Sequence, residues 1–431
     1  MTTSLTMWGG VECTVNRLRN SFRSQLAASG HDERIADLEL FAQLGIARIR
    51  YPVLWELVSP KSPQEFSWTW SDERLQRLRE LRVEPIVGLL HHGSGPIYTN
   101  LLDPNFPTLF SQYAYEVATR YPWVSQYTPI NEPLTTARFS CLYGHWYPHA
   151  RSDAAFARAL LNQCRATVLA MQAIRRVNPS AQLIATDDLG QTFSTAGLQY
   201  QADFENERRW LGWDLISGKV DRRHPLRKYL SSAGIGAAEL DWLCANGSVP
   251  DVIGINHYIT SDRMLHEQWQ HFPESTWGGN GIDRYADTEA VRVLDDYVPG
   301  FDRALTQTSE RYKTKVALTE VHLGCAVDEQ VRWLNQAWMS ARSVRSRGVP
   351  VIGVTSWALL GSYDWNSLLT REEGHYEPGA FDLSDGSPRI TGLSRCIRQI
   401  ARHGAHAPTG RVQPGWWERE SRITVRVSAS A

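Results

Sequence analysis

Short apolar runs alternate along the chain with longer stretches in which apolar residues fall three and four apart. The runs lie near 5–11, 46–54, 83–90, 125–131, 181–187, 250–258, 315–320 and 350–358. The stretches between them, at 32–44, 72–81, 106–120, 153–177 and 327–347, carry the helical period. This is the pattern of repeated βα units rather than of a sandwich or a bundle. Ser71 or Asp72 and Asp153 stand where helix N-caps are expected, and Gly45 and Gly348 where helices should end before strands. Eight strand–helix alternations predict a closed parallel (β/α)8 TIM barrel more than an open sheet.

Two connections, 191–250 and 260–288, are longer than ordinary βα links. Such segments are functional, disordered or hold extra helices, and here they are expected to roof the carboxyl ends of the strands. The polar end 404–431 contains Trp416 and Trp417 and either packs on the barrel or hangs free. The expected organisation is a barrel domain over 1–403 and a tail over 404–431.

Composition narrows the function mainly by exclusion. With 42% apolar and 21% charged residues the chain can bury a sizeable core. Its 45 basic and 46 acidic residues leave a net charge of -1, so no global field recruits nucleic acid or an acidic membrane. The start of the chain has no basic region followed by an apolar stretch, and no 18 apolar residues run uninterrupted. A cytoplasmic protein that neither spans a membrane nor is secreted is expected. Cys13, Cys141, Cys164, Cys244, Cys325 and Cys396 are scattered, with no CxxC pair or Cys/His ligand spacing, which predicts free thiols and no metal. No GxGxxG follows a strand, so no nucleotide cofactor is expected either.

Barrel enzymes place their chemistry where strands end. VSQYTPINEP ends the fourth strand at Glu132, and KVALTE ends the seventh at Glu320. Glutamates on those strands face each other across a barrel, the arrangement that glycoside cleavage needs. One carboxylic acid protonates the leaving oxygen and the other works from the opposite side of the sugar. A separation of about 5–5.5 Å makes the second a nucleophile, whereas roughly 6.5–9.5 Å leaves room for water. For one glutamate alone, an ordinary surface position is the better reading. Two that each follow a buried strand favour catalysis. Pro133 is expected to hold Glu132 in extended geometry and so end the strand. Asp187 and Asp188, ending the fifth strand, either bind substrate or cap the next helix.

At these positions the chain resembles the family 1 glycoside hydrolases, the β-glucosidase and β-galactosidase family, over most of residues 8–390. Trp8-Gly9-Gly10 resembles the family's WG opening, and Arg50, Trp55 and Pro60 keep the spacing of its RxSxxWxRxxP. LLHHGSGP is similar to LxHWxLP and puts His91 at a sugar-binding histidine. Asn131-Glu132-Pro133 matches NEP, DVIGINHY resembles DFxGxNYY through Asn256 and Tyr258, and LTE at 318–320 resembles the first half of TENG. SWALLGSYDW is close to WSLxDNFEW, so Trp357, Asp364 and Trp365 fall on sugar-contacting positions. The departures bear on specificity. Val321 and His322 replace Asn-Gly, Asp364 is a methylene shorter than the family's Glu, and His92 replaces a Trp. The QxEG element is missing, leaving Glu12 or Asn16 to stand in for its glutamine.

The resemblance implies a retaining β-glycosidase in which Glu132 is the acid/base and Glu320 the nucleophile. Glu132 would need a raised pKa, from burial or from the charge of Glu320. Glu320 would stay ionised, held by Arg50 and Tyr258. Asn131 would bind the sugar 2-hydroxyl, with His91, Glu12, Asn256, Asp364, Trp357 and Trp365 as further carbohydrate contacts. Of 17 tryptophans most should be core, and Trp277 in the long loop is a candidate aglycone wall. The stretch after Trp365, NSLLTREEGHYEPGAFD, lacks the Ser, Lys and Tyr arrangement of the family's 6-phospho-glycosidases, so an unphosphorylated terminal sugar is expected. The chain also resembles the hydrolase-like half of bacterial proteins in which such a barrel is joined to a sugar-nucleotide reductase. That likeness hints, by association only, at polysaccharide or glycoconjugate metabolism. The competing readings are a transglycosidase using the same glutamates and a sugar-binding protein with a decayed site. Retention of both glutamates, Asn131 and Tyr258 argues against the second.

Overall fold

A computed structural model describes residues 4–405 and 413–425 of the chain. Eight strands follow one another around a closed barrel: β1 (Thr6–Gly10), β2 (Arg48–Pro52), β3 (Glu84–His91), β4 (Gln126–Asn131), β5 (Gln182–Asp188), β6 (Val252–Asn256), β7 (Lys315–Val321) and β8 (Val351–Ser356). Neighbours in sequence are neighbours in space, all pairs are parallel, and β8 closes on β1. The architecture is a (β/α)8 TIM barrel, with every expected strand in place.

Parallel strands covered by helices are buried on both faces, which is why they read as continuous apolar runs. Their residues divide accordingly between two clusters. Trp8, Ile86, Ile184, Val252, Ala317 and Ile352, all strand residues, form a small separate core that fills the bore. A much larger cluster lies between the strands and the helices outside them, including Ile49, Val87, Tyr127, Leu318 and Val354. The bore is thus a packed floor on which the polar residues of the strand ends rest.

Helices Phe106–Arg120 and Asp153–Val177 match the expected periodic segments. The capping expectations need correction. The helix expected near 72–81 runs from Thr69 to Glu80, so Ser71 and Asp72 lie inside its first turn, where Asp72 binds Arg120 and Tyr121 from the neighbouring unit. Ser152, not Asp153, caps the long helix by accepting from the Ala155 amide. The helix expected over 32–44 is shorter than its period suggests, Asp37–Gln43, and is preceded by a tight turn in which His31 and Arg34 bind Asp37. Gly45 and Gly348 adopt φ of 76° and 97° after their helices, as a reversal into a strand requires.

The long connections carry structure of their own. Segment 191–250 holds the helices Gln199–Arg208, Leu211–Ile216, Arg227–Ser232 and Ala237–Asn246. Residues after β5 and β6 combine into a four-stranded sheet made of Thr192–Ser194, Arg263–His266, Arg284–Glu289 and Trp277–Gly279. In the tail, Trp417 is 1% exposed, meets Trp333 edge-on at 5.1 Å and donates to Gln336 at 2.8 Å. The described part of the tail therefore packs on the helix Val327–Ser346. Among the described residues no helix is long and apolar enough to cross a membrane.

Candidate active site

Both glutamates stand just beyond a break in strand register. The pairing of β7 with β6 passes from Leu318 opposite Ile255 to Glu320 opposite Asn256, and the pairing of β4 with β5 shifts between Tyr127 and Asn131. Irregularities of this kind re-aim the side chains that follow them. Glu132 then adopts a left-handed backbone, φ 48° and ψ 63°, instead of the extended geometry expected from Pro133. Proline disfavours only the right-handed helical region before it. Tertiary bonds select the rest: the Glu132 amide donates to Thr186 O at 3.1 Å and its carbonyl accepts from Thr136. The chain thereby turns at once into the short helix Pro133–Ala137. A non-glycine residue pays of order 1–3 kcal/mol for such a conformation, and these are concentrated at functional sites.

Glu320, 1% exposed, is held between two donors. Arg50 Nη1 lies 2.6 Å from Oε1, and the Tyr258 hydroxyl donates to Oε2. Arg50 also reaches Thr319 O at 2.9 Å and Asn131 Oδ1 at 2.6 Å, with its guanidinium 4.7 Å from the centre of a Trp357 ring. Burial pushes the Glu320 carboxyl up, while Arg50 and Tyr258 pull it back.

Glu132, 4% exposed, has a different shell. Its bonded partner among the described residues is the neutral Asn256 amide, 2.5 Å from Oε1. Burial first, and then the charges of Glu320, Asp188 and Asp187, push its carboxyl well above the usual range. His92 Nε2 lies 4.0 Å from Oε2, and burial with Arg50 lowers the His92 pKa to about 3, so no cation stands there.

Asn131 ties the two halves together. Its Oδ1 accepts from Arg50 and from Thr186 Oγ1 (2.7 Å), and its Nδ2 faces Nε2 of His91 (3.2 Å) and of His92 (3.4 Å). Arg50, which can only donate, and the Thr186 hydroxyl fix which end of the amide is oxygen. Asn256 is oriented likewise, its Oδ1 accepting from Thr319 Oγ1 at 2.7 Å. His91 stacks parallel to Trp357 at 5.4 Å, and burial holds its pKa well below the ordinary value. Trp357 Nε1 donates to Glu12 Oε2 at 3.2 Å, and Glu12 Oε1 accepts from the Thr14 amide and hydroxyl. The ring lies so close to β1 that a Cβ on Gly10 would come within 2.4 Å of it.

The structure thus gathers Glu12, Arg50, His91, Asn131, Glu132, Asn256, Tyr258, Glu320 and Trp357 into one connected cluster. Trp365 joins it edge-on to His92 at 5.6 Å, with its buried Nε1 lacking a partner among the described residues. Asp364 turns its Oδ1 to the amides of Glu373 and His375, shaping the loop beside Trp365. Of the two residues considered for the missing glutamine, Glu12 is the one bonded to Trp357; Asn16 is fully buried, with neither amide atom partnered among the described residues. Asp187 caps the short helix after Glu132 by accepting from the Leu134 amide, and Asp188 accepts from the Ser261 hydroxyl. Trp277 stays in the outlying sheet, packed on Trp269 with its indole on Phe272 O. His322 braces the Trp357 carbonyl through Nδ1 at 3.1 Å and faces Glu377 through Nε2.

Sequence reasoning missed Trp146, which is 1% exposed and lies against both His92 and Trp365. It also passed over Thr186 and Thr319, which orient the two asparagines. The threonines end buried strands and so carried the same positional signal as the glutamates. Trp146 lies in a loop, with nothing in its neighbourhood to mark it. Among the described residues no three His, Cys, Asp or Glu side chains are grouped to hold a metal ion.

Comparison with known proteins bears on the family and the fold. The model of glycosyl hydrolase family 1 matches residues 6–375. An aryl-phospho-β-D-glucosidase of Bacillus subtilis is 22% identical over 363 residues, 78% of this chain and 76% of that protein. The β-glucosidase 4 of Oryza sativa subsp. japonica is 23% identical over 405 residues, 83% of this chain and 82% of its own. Among solved structures, the family 1 β-glucosidase of Thermotoga maritima superposes with a TM-score of 0.76 at 14% identity, covering 94% of this chain and all of the other. The chain belongs to glycosyl hydrolase family 1 and is a glycosidase.

Proposed function

We propose that the chain is a retaining β-glycosidase that removes a terminal, unphosphorylated sugar by double displacement, with Glu132 as acid/base and Glu320 as nucleophile. The observation that carries this reading is the unequal surroundings of two equally buried carboxyls. Glu320 has a cation and a phenol on its oxygens, which favour the ionised form a nucleophile needs. Glu132 has carboxylates around it and only a neutral amide bonded to it, which favours the protonated form a general acid needs. When Glu320 attacks the anomeric carbon, the leaving oxygen takes the Glu132 proton. The glycosyl–Glu320 ester no longer carries a negative charge, so one cause of the raised Glu132 pKa is removed. Glu132, now ionised, takes a proton from the water that cleaves the ester.

The remaining cluster serves the sugar. Asn131, fixed through its oxygen, offers its amide hydrogens to the 2-hydroxyl, a contact that strengthens as the anomeric carbon becomes oxocarbenium-like. Trp357 and Trp365 provide apolar faces for the C–H side of the ring, and Glu12, His91 and Asp364 provide hydroxyl partners. Two of the relatives, from Bacillus subtilis and Klebsiella oxytoca, carry phospho-sugar substrates in their names. The loop after Trp365 argues for an unphosphorylated sugar here. Its Arg371 is paired with Glu373, and its Glu372 with Arg23, so among the described residues it presents no unneutralised cation.

The test is hydrolysis of aryl β-glycosides (glucoside, galactoside, fucoside, mannoside, xyloside and glucoside 6-phosphate) by wild type and by Glu320→Ala. Turnover lost in the variant and returned by azide as an inverted glycosyl azide supports the reading and identifies the sugar. Preference for the 6-phosphate overturns the unphosphorylated assignment. Products that pass to an added sugar acceptor in place of water make the enzyme a transglycosidase.

A further inference from the structure

The two residues after Glu320 both bind the main chain of Trp357. Val321 O accepts from the Trp357 amide at 3.2 Å, and His322 Nδ1 lies 3.1 Å from the Trp357 carbonyl oxygen. Trp357 is thereby pinned at both ends of its residue by the segment that carries Glu320. Its indole is held separately, by the stack with His91 and the bond to Glu12.

His322 is itself held from behind. Its Nε2 lies 2.6 Å from Glu377 Oε2, and the two side chains are only 12% and 16% exposed, so solvent competes little with the pair. Glu377 ends the two-residue strand Tyr376–Glu377, which pairs with Ser362–Tyr363 immediately before Asp364 and Trp365. Gln330, on the helix Val327–Ser346, fastens the next residue by donating to Pro378 O at 2.8 Å. Gly324 leaves the carboxylate its place, since a Cβ there would lie 2.8 Å from Glu377 Oε2 and 3.0 Å from the carboxyl carbon.

The bonding is directional. A carbonyl oxygen can only accept, so Nδ1 must donate to Trp357. Burial raises the Glu377 carboxyl, but the bond and charge of His322, with the charge of His375, bring it below the ordinary carboxylate value, so Oε2 accepts as well. Both ring nitrogens face acceptors, and the bond to Glu377 fixes the ring plane in which Nδ1 meets the carbonyl.

We propose that His322 and Glu377 are positioning residues for the reaction, the carboxylate holding the imidazole and the imidazole setting the depth at which the Trp357 indole meets the sugar. This rests on Trp357 being a face for the sugar, as proposed above. A stacking face touches substrate and transition state alike, so displacing it weakens binding more than it slows chemistry.

The test measures KM, kcat and Tm of wild type, His322→Ala, His322→Asn, Glu377→Gln, Trp357→Ala and the Trp357→Ala/His322→Ala double variant on an aryl β-glycoside. His322→Ala should raise KM about tenfold and change kcat by less than about twofold. His322→Asn, whose amide nitrogen takes the place of Nδ1, should recover most of the loss, with Glu377→Gln between. Without the Trp357 indole, His322→Ala should add no further loss. Should His322→Ala not fold, His322→Gln replaces it, because it can keep the bond to Glu377 while losing the one to the carbonyl. A merely structural role reduces the active fraction, and so lowers kcat and Tm while KM stays unchanged; that result overturns the proposal, as does a His322 effect on KM that persists in the Trp357→Ala background. Calorimetric binding of deoxynojirimycin and its galacto and fuco forms gives a readout without turnover, and the Kd should rise by the same factor of about ten in His322→Ala. A wild type that binds one of them but cleaves no glycoside counts against the two-glutamate mechanism, while weakened binding in His322→Ala still supports the positioning pair. A wild type that neither binds nor cleaves overturns both.

Discussion

Replacing Glu132, the proposed acid/base, by glutamine should stabilise the protein, and the gain should grow with pH. The folded-state pKa of Glu132 lies well above its unfolded value, through burial and the charges of Glu320, Asp188 and Asp187. A group raised in this way contributes stability that is complete below the unfolded carboxyl value of about 4.3 and is lost as pH rises toward the folded one. Glutamine, which can still accept from Asn256, does not titrate and loses nothing. Leaving a buried polar group poorly satisfied costs about 1–3 kcal/mol, which sets the expected gain near pH 8. For 431 residues at about 2.1 cal/mol/K each, the unfolding entropy is about 0.9 kcal/mol/K. The gain is therefore a rise in Tm of about 1–3 °C, shrinking toward zero near pH 4.5. Glu320→Gln should lower stability instead, by a margin that shrinks as pH rises because burial raises this carboxyl as well. It strands Arg50, 5% exposed, without its anion, and breaking a buried pair costs about 3–5 kcal/mol, or about 3–5 °C. Scanning calorimetry of the three proteins at pH 4.5, 6 and 8 checks both signs. A Glu132→Gln protein that melts at or below wild type at pH 8, or by the same margin at every pH, would refute the charge argument.

Three further outcomes are expected. The pH profile of kcat/KM should be bell-shaped, its acid limb set by ionisation of Glu320 and its alkaline limb by loss of the Glu132 proton; both should lie above the ordinary carboxylate range, because burial raises both groups. On an aryl glycoside with a strongly activated leaving group, Glu132→Gln should abolish the alkaline limb alone, and persistence of that limb assigns it to another residue. Dialysis against EDTA should leave activity unchanged, whereas loss restored by a divalent ion would sink the metal-free mechanism. Trp417→Ala should cost about 3–5 kcal/mol of stability by emptying a buried site against Trp333, read as a lower urea midpoint, with KM unaffected.

The barrel was legible because its strands are buried on both faces, which turns each into a short apolar run bounded by polar helices. Glu132 and Glu320 were legible for the same reason: each is a charge placed where an apolar run stops. What escaped depended on the third dimension. Nothing local to 126–131 or 315–321 announces a register shift, since the shift is a relation between two strands. The left-handed backbone of Glu132 is likewise fixed by Thr186 across a strand pair, so the neighbour effect of Pro133 alone pointed to the wrong region. Asp72 and Asp153 looked like caps because acidic residues gather in first helical turns whether or not they occupy the cap itself. Trp146 and Trp277 are indistinguishable as loop tryptophans, yet one is buried beside His92 and the other packs on its own loop.

Burial by itself would raise both glutamates alike and give two acids with no nucleophile. The difference comes from the circular order of the strands. Arg50 enters from β2 and spans the mouth of the barrel to reach Glu320 on β7 and Asn131 on β4, while Tyr258, just beyond β6, donates to the other Glu320 oxygen. Glu132 adjoins β5 instead, whose end supplies Asp187 and Asp188. A cation and a phenol are thereby committed to one carboxylate, and two more carboxylates are set beside the other. Because Arg50 bonds both Glu320 and the Asn131 side-chain amide, displacement of one should be felt by the other. Glu320 and Asn131 are thus a single positioned unit through Arg50, whereas the surroundings of Glu132 are set separately by the end of β5.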